Sequence, residues 1–226
     1  MSALPATRRR EVLRQSLSVG LATGAYGASF GALSVAAGLS VWQTVALSAL
    51  LFSGGSQFAV VGILAAGGSG AAAVATSTLL GVRNGLYSLQ VARILHVRGL
   101  RRAAAAQLTI DESTAVAVAQ PEPPASRLGF WATGASVFVL WNLSTLGGAV
   151  VGDALGDPKR YGLDAAAAAA FCALLWPRLR SGEARAVAVA AVVVALALAP
   201  FTPAGVPVLV AAFAAVAVGA RSRVAA

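Results

Sequence analysis

Charged side chains are scarce in this chain. Only 11% of the 226 residues are Asp, Glu, Lys or Arg, whereas a soluble domain carries about 25%. Apolar residues make up 58% of the sequence, and the mean hydropathy is +0.78. The shortage of charge excludes an ordinary soluble domain, and the long apolar runs predict a membrane protein.

Cysteine, histidine and lysine each occur once, as Cys172, His96 and Lys159. A single cysteine excludes an intrachain disulfide, and the histidine lies among arginines, where a surface position is expected. We expect no metal ion and no cofactor. Gly67-Gly68-Ser69-Gly70 has the G-x-S-G form found in intramembrane serine proteases, but no histidine base is placed to activate Ser69. We therefore do not expect an enzyme.

The net charge of +9 comes from arginines that cluster at the ends of apolar runs. This distribution is typical of membrane orientation and argues against nucleic-acid binding. It predicts a membrane protein with a cytoplasmic N-terminus and an uncleaved first helix. The basic stretches 93–102 and 178–185 are then also cytoplasmic, and the loop 153–164 is external.

Seven apolar segments predict an all-α, polytopic membrane helix bundle with six to seven transmembrane segments, because helices satisfy their own backbone in lipid. The segments are Ser16–Ala37, Val41–Ala66, Ala71–Gln90, Gly129–Gly152, Asp164–Trp176, Ala184–Ala199 and Gly205–Ala220. Three full crossings before Gly129 would place the arginines of 93–102 outside. We therefore expect a broken or re-entrant element near Arg83. The alternative is that Ala103–Gln120 is a further membrane element.

Composition also suggests how the chain is divided. The expected parts are a basic cytoplasmic N-terminus (1–15), a first membrane half with polar helix breaks (16–120), a Pro-rich linker (121–128), a second membrane half (129–220) and a cytoplasmic tail (221–226).

Two polar strings interrupt the first half, Gly54-Gly55-Ser56-Gln57 and Arg83-Asn84. An arginine at the bilayer centre costs at least ~2.5–3.5 kcal/mol, so such groups are expected to face a cavity, a partner or a substrate. Free N–H groups at a break at Gly54, or the fork of Arg83, would bind a carboxylate. The alternatives are a packing kink with Gln57 bonded to another helix, and an ion-paired or snorkelling Arg83.

Asp111-Glu112 is the only adjacent pair of acidic residues. Carboxylates within a membrane segment are candidates for carrying a proton or for binding a substrate ammonium. The alternative is a helix cap, because Thr109 and Glu112 have the spacing of a capping box.

Two further patterns predict contacts between helices. Small residues recur on one face of the first helix, at Gly20, Gly24, Gly27, Gly31, Ser34 and Gly38. Such a stripe favours close helix packing in lipid, or a path for substrate. The polar island Trp141–Thr145 is more simply explained by bonds between helices than by substrate contact.

Several of these strings resemble the AzlC/YgaZ family in order and spacing. They are Phe30-Gly31 with Gly38, Ser53-Gly54-Gly55-Ser56-Gln57-Phe58, Arg83-Asn84 with Tyr87, Asp111-Glu112, and Tyr161-Gly162-Leu163-Asp164 with Phe171. The resemblance extends over about residues 16–220. The chain departs from the family in two places, because Gly81-Val82-Arg83-Asn84 displaces the usual amide and Gly-Gly-Ser-Gln replaces the usual Gly-Ala-Ala-Gln.

The resemblance implies the large subunit of a two-component exporter of valine, leucine, isoleucine or analogues in the bacterial inner membrane, driven by proton antiport. Its partner is then a small membrane protein of the AzlD/YgaH type. Substrate binding is assigned to Phe30, Gly54, Gly55, Ser56, Gln57, Arg83 and Asn84, and proton coupling to Asp111 and Glu112. The alternatives are a channel or exporter for another small solute and a membrane subunit that does not itself transport.

Overall fold

The computed structural model describes residues 4–156 and 175–213, with positions 169, 172 and 216. Helices are the only regular secondary structure in these residues, as predicted. They are α1 (Ala6–Ala36), α2 (Val41–Leu50), α3 (Gly54–Ala65), α4 (Gly70–Leu95), α5 (Leu100–Gln107), α6 (Asp111–Val118), α7 (Pro123–Leu155) and α8 (Gly182–Leu198). A 3₁₀ turn, Trp176–Arg178, precedes α8, and residues 206–213 are helical. The external loop predicted beyond Gly156, most of the fifth segment and the C-terminal tail lie outside the described residues.

Two long helices, α1 and α7, form the centre of the bundle. They have 31 and 33 residues, and both are long and apolar enough to cross a membrane. They run in the same direction, since Ser16 bonds to Thr133 near their first halves and Gly31 meets Thr145 farther along. We call the end at which both helices begin the basic end, because it carries Arg8, and the other the far end.

The predicted glycine stripe of α1 is the seam with α7. A Cβ built on Gly20 would lie 2.5 Å from Ser136 Oγ, and one built on Gly27 would lie 2.5 Å from the Trp141 carbonyl oxygen. On the other side of the seam, a Cβ on Gly148 would collide with the backbone of Ala28. The stripe therefore serves close packing, and its last member, Gly38, lies beyond the helix in a turn with φ +94°.

The second apolar segment is two helices, α2 and α3, which we call the first helix pair. The chain enters from the far end, where Ser40 and Gln43 lie beside Asp153. It reaches its deepest point at Phe52, whose ring packs on Phe138 with centroids 5.0 Å apart. α3 then leads back, so that Gln57 lies beside Ser48 again. With 10 and 12 residues, about 15 and 18 Å, neither helix is as long as a membrane core of ~30 Å.

The break predicted near Arg83 is wrong. α4 is one continuous helix of 26 residues through Arg83, Asn84 and Gly85. Arginine is a good helix former, and one glycine in open space costs only about 1 kcal/mol. The break lies instead at Leu51–Ser53, where Ser53 is extended with φ −156° and ψ 102°. This position directly precedes Gly54, where the sequence analysis considered a helix break.

Residues 100–118 form α5 and α6, which we call the second helix pair. This pair comes from the basic end. Leu108, at its tip, meets Gly134, whereas Val116 meets Gly129 on the way back. The alternative that Ala103–Gln120 is a further element of the bundle is therefore the one that matches the structure.

The two helix pairs remove the conflict in charge distribution. α4 ends at the basic end, where Arg127 Nε donates a 2.9 Å hydrogen bond to the Ile94 carbonyl. The exposed arginines that follow therefore lie at the same end as Arg8, Arg9 and Arg10; they are Arg98, Arg101 and Arg102. His96, exposed and in the left-handed conformation at the end of α4, is a surface residue as predicted.

The Pro-rich segment is shorter than the predicted linker. Residues 123–128 already form the first turns of α7, which begins at Pro123. Only a short turn around Glu122 joins α6 to α7.

Candidate functional site

A cavity of about 350 Å³ lies where the tips of the two helix pairs meet α4, α1 and α7. Most of its polar lining comes from the strings that the sequence singled out. They are Ser53, Gly54 and Gly55 from the first pair, Arg83 and Asn84 from α4, and Asp111 and Glu112 from the second pair. Three segments that are far apart in the sequence therefore contribute to one site.

An ion pair lies in the lining of the cavity. Arg83 Nη1 lies 3.0 Å from Asp111 Oδ2, and the two side chains are 35% and 27% exposed. The remaining buried atoms of the α4 string, Arg83 Nε and Asn84 Oδ1, have no hydrogen-bond partner among the described residues. A guanidinium and an amide with unused capacity beside a cavity are suited to a polar ligand.

The first turn of α3 lies against the same guanidinium. A Cβ built on Gly55 would be 4.0 Å from Arg83 Nη2, so the absence of a side chain leaves the backbone open to the cavity. Ser53 precedes this turn and provides no side-chain cap to it. Open N–H groups at a helix start favour negative charge, and the arginine beside them adds to that preference.

α6 also begins at the cavity, and its first two residues are Asp111 and Glu112. Carboxylates in a first helical turn interact favourably with the helix dipole. The predicted Thr109–Glu112 capping box does not start α6, because the N-cap is Ile110 and the Thr109 N–H donates to the Ala106 carbonyl at 3.3 Å. Instead, Ser113 Oγ accepts a 3.1 Å hydrogen bond from the Ile110 N–H. The two carboxylates are thus not needed as the N-cap of α6.

The rest of the cavity wall is apolar and aromatic. It is formed by Phe52, Phe58, Leu80, Ile110, Val137, Trp141 and Leu175, with Thr23 and Tyr26 of α1. Phe58 and Trp141 meet edge to face at 6.3 Å. One side of the cavity thus carries ionic groups, whereas the other offers a surface for a hydrocarbon side chain.

Gln57 does not reach the cavity. It is fully buried, and its Oε1 accepts a 2.9 Å hydrogen bond from Trp141 Nε1 while its Nε2 donates to the Ser48 carbonyl at 3.1 Å. Ser48 Oγ in turn donates to Thr145 Oγ1. These hydrogen bonds join α7, α3 and α2. They match the alternative interpretation of Gln57 as bonded to another helix, and the interpretation of the polar island 141–145 as a set of bonds between helices.

Two other predicted binding residues also lie behind the wall. Phe30 is fully buried and packs on Phe58 and Trp141. Ser56 is 1% exposed, and its Oγ donates to the Ser77 carbonyl. Of the nine residues assigned to binding and coupling, the structure brings six to the cavity and places Phe30, Ser56 and Gln57 in its support.

Sequence reasoning missed most of the apolar wall. Nothing in the sequence separates Val137 or Ile110 from other buried aliphatic residues. Trp141 was the residue that the sequence could have identified. An indole N–H within a membrane segment needs a hydrogen-bond partner, and that bond fixes the position of the indole ring.

A family model described as "AzlC protein" matches residues 18–155. No curated protein and no solved structure matches the chain. The matched segment contains both helix pairs, α4 and every cavity residue except Leu175, whereas the predicted resemblance at Tyr161–Asp164 lies outside it. With more than half of its length matched, the chain belongs to the AzlC family of membrane transporter components.

Proposed function

We propose that this protein is the large subunit of a two-component exporter of branched-chain amino acids in the bacterial inner membrane. The observation that carries the proposal is the cavity in which the Arg83–Asp111 ion pair faces an aromatic and aliphatic wall. Valine, leucine and isoleucine need three things from a site, namely a cation for the carboxylate, an anion for the ammonium and an apolar surface.

The carboxylate is assigned to Arg83 and the first turn of α3. Arg83 offers a fork of N–H donors, and the open backbone at Gly54 and Gly55 lies beside it. The ammonium is assigned to Asp111 and Glu112, which lie at the start of α6 on the other side of the cavity.

The existing ion pair makes this binding energetically feasible. A zwitterion between Arg83 and Asp111 replaces one ion pair by two of the same kind, so no charge is left unpaired in a site of low polarity. Leaving one charge of a partly buried pair without a partner is unfavourable. A neutral or singly charged solute cannot satisfy both residues at once.

Proton coupling is assigned to the same carboxylates. A substrate ammonium needs an ionised carboxylate, so a proton and an amino acid compete for Asp111 beside Arg83. When a proton from outside binds Asp111, the site for the ammonium is lost and the amino acid is released. When that proton leaves to the cytoplasm, the carboxylate can bind the next amino acid. This competition supports antiport of a proton against an amino acid, with a small AzlD/YgaH-type subunit as the partner.

Counterflow in proteoliposomes tests the proposal. The full chain is reconstituted with the small subunit, and uptake of labelled leucine is driven by trapped amino acids from a panel that includes valine, isoleucine, alanine, aspartate and lysine. We expect exchange with the branched-chain members only. Arg83→Ala should abolish it, whereas Arg93→Ala, on the exposed last turn of the same helix, should not. Exchange that favours aspartate or lysine, or that survives Arg83→Ala, would contradict the proposal.

A further inference from the structure

The two helix pairs approach each other from opposite ends of the bundle, and one hydrogen bond joins them. Gln107 Nε2, at the end of α5, donates to the Ala49 carbonyl, near the end of α2, at 2.8 Å. In the part of the chain that the structure describes, no other hydrogen bond links a residue of the first pair to a residue of the second.

The Ala49 carbonyl needs this partner because α2 is broken. In a continuous helix it would accept from the N–H of Ser53, but α2 ends at Leu50 and Ser53 is extended. The neighbouring carbonyl, Ser48, is satisfied by Gln57. Two glutamine side chains therefore replace two backbone hydrogen bonds lost at the break, one from within the pair and one from the opposite pair.

The two glutamines differ in their surroundings. Gln57 is fully buried in the support behind the cavity, whereas Gln107 is exposed. A bond with an exposed donor exchanges its partner for water at little cost, since a typical hydrogen bond contributes only about 0.5–1.5 kcal/mol net. The Gln107 bond is therefore the one between the pairs that a small change in free energy can break.

Each pair is also anchored at its base, away from the cavity. The second pair is held at the basic end, where Arg8 Nη2 donates to Gln120 Oε1 at 2.9 Å. The first pair is held at the far end, where the N–H of Leu39, just before α2, donates to the Ser34 carbonyl of α1 at 3.1 Å. The tips pack on α7 through Phe52 and Leu108, and the one hydrogen bond that joins them to each other is exposed.

We propose that Gln107 is a positioning residue that holds the tips of the two helix pairs together around the cavity, and that this bond breaks when one pair moves to open the cavity to its own side of the membrane. The inference rests on the proposed transport function. It assigns the access path to the helix pairs, while α1 and α7 stay fixed through their glycine seam.

A thiol-accessibility measurement tests the positioning role without any transport assay. In a Cys172→Ser background, Ser53→Cys reports on the tip of the first pair, which lines the cavity. Ala66→Cys, at the exposed far end of α3, is the control. Gln107→Leu and Gln107→Glu remove the donor, and Gln107→Lys keeps one. Gln90→Glu, at an exposed site on α4, is the matched substitution.

Loss of the donor should raise the rate of Ser53→Cys modification by a water-soluble reagent about three- to tenfold, the range of one net hydrogen bond. Gln107→Lys should restore the slow rate, and the rate at Ala66→Cys should not change in any variant. An unchanged rate in both Gln107→Leu and Gln107→Glu would overturn the proposal, as would equal increases at Ser53→Cys and Ala66→Cys.

Cross-linking tests whether the tips of the two helix pairs separate during transport. With Ala49→Cys and Gln107→Cys in one chain, a short bis-thiol reagent should join the tips and stop leucine exchange, while reduction of a cleavable reagent should restore it. Each single variant treated in the same way should keep exchanging. Normal exchange by the cross-linked protein would show that the tips need not separate, even if the proposed substrate is correct.

Discussion

Trp141 Nε1 donates a 2.9 Å hydrogen bond to Gln57 Oε1, so an indole that faces the cavity is oriented by a glutamine that does not. The amide also holds the Ser48 carbonyl, at the end of the broken helix α2. One buried side chain thus fixes both a part of the cavity wall and the geometry of the first helix pair.

Gln57→Leu should therefore act on stability as well as on transport. It leaves the Trp141 N–H and the Ser48 carbonyl without partners, and each buried unsatisfied group costs about 1–3 kcal/mol. We expect a clear drop in the midpoint of thermal unfolding in detergent and loss of leucine exchange. Trp141→Phe, which keeps a ring but removes the donor, should show a smaller drop. Gln90→Leu, at an exposed site, is the control, and equal unfolding midpoints for Gln57→Leu and Gln90→Leu would contradict the assignment.

Arg83→Lys should greatly reduce exchange although the charge is kept. A lysine offers a compact ammonium in place of a planar fork, so it cannot bind the substrate carboxylate through two parallel hydrogen bonds as Arg83 can. The measurement is the initial rate of leucine counterflow over a range of concentrations, with Arg93→Lys as the control. Full activity in Arg83→Lys would leave a requirement for charge only.

Neutral variants of the acidic pair should separate exchange from proton coupling. Asp111→Asn and Glu112→Gln mimic the protonated carboxylic acid, so one of them should lose export driven by a pH gradient and keep exchange between equal pools of leucine. Both processes are measured in the same proteoliposomes, with and without the gradient. If both variants keep normal pH-driven export, the coupling group lies elsewhere.

Gly147 and Gly148 provide a matched pair for the seam between α1 and α7. A Cβ on Gly148 would overlap the backbone of Ala28, whereas one on Gly147 meets nothing within 4 Å. Gly148→Ala should destabilise the protein by at least the 1–3 kcal/mol typical of overpacking, and Gly147→Ala should change little. Thermal unfolding of the two variants side by side checks this, and a similar midpoint for both would contradict the parallel seam.

Sidedness of labelling checks the arrangement of the helix pairs. In a Cys172→Ser background, Arg101→Cys and Gly182→Cys should react with an impermeant reagent from the cytoplasmic side only, because the positive-inside rule assigns the basic end to the cytoplasm. Ala66→Cys, after α3, should react only from outside. Labelling of Ala66→Cys and Arg101→Cys from the same side would mean that α4 does not run from the far end to the basic end.

The polar residues of the site could be predicted from the sequence, because a charged or polar side chain within a membrane segment has a high free-energy cost and is therefore rare. Arg83 and Asp111 stand out in apolar surroundings, and the structure pairs them. The position of the break was harder to assign, since polarity and helix termination are different properties. Arg83 and Asn84 are polar but remain helical, whereas the actual break at Leu51–Ser53 begins in apolar residues.

The paired tips could not be predicted at all. Gln107 stands out only as one amide in an apolar stretch, and its partner is a backbone carbonyl of Ala49, 58 residues earlier. The Ala49 carbonyl is available only because α2 ends at Leu50. No side chain in the sequence marks this helix end.

The parallel seam of α1 and α7 also has a consequence for the order of synthesis. Gly20 is synthesised 116 residues before Ser136, the residue that covers it. The glycine face of α1 therefore remains unpaired in the membrane while both helix pairs and α4 are translated. Contacts so distant in sequence form slowly. During that interval α1 is open to any other helix that accepts a small-residue face, and a chain that stops before α7 would remain available for such wrong associations.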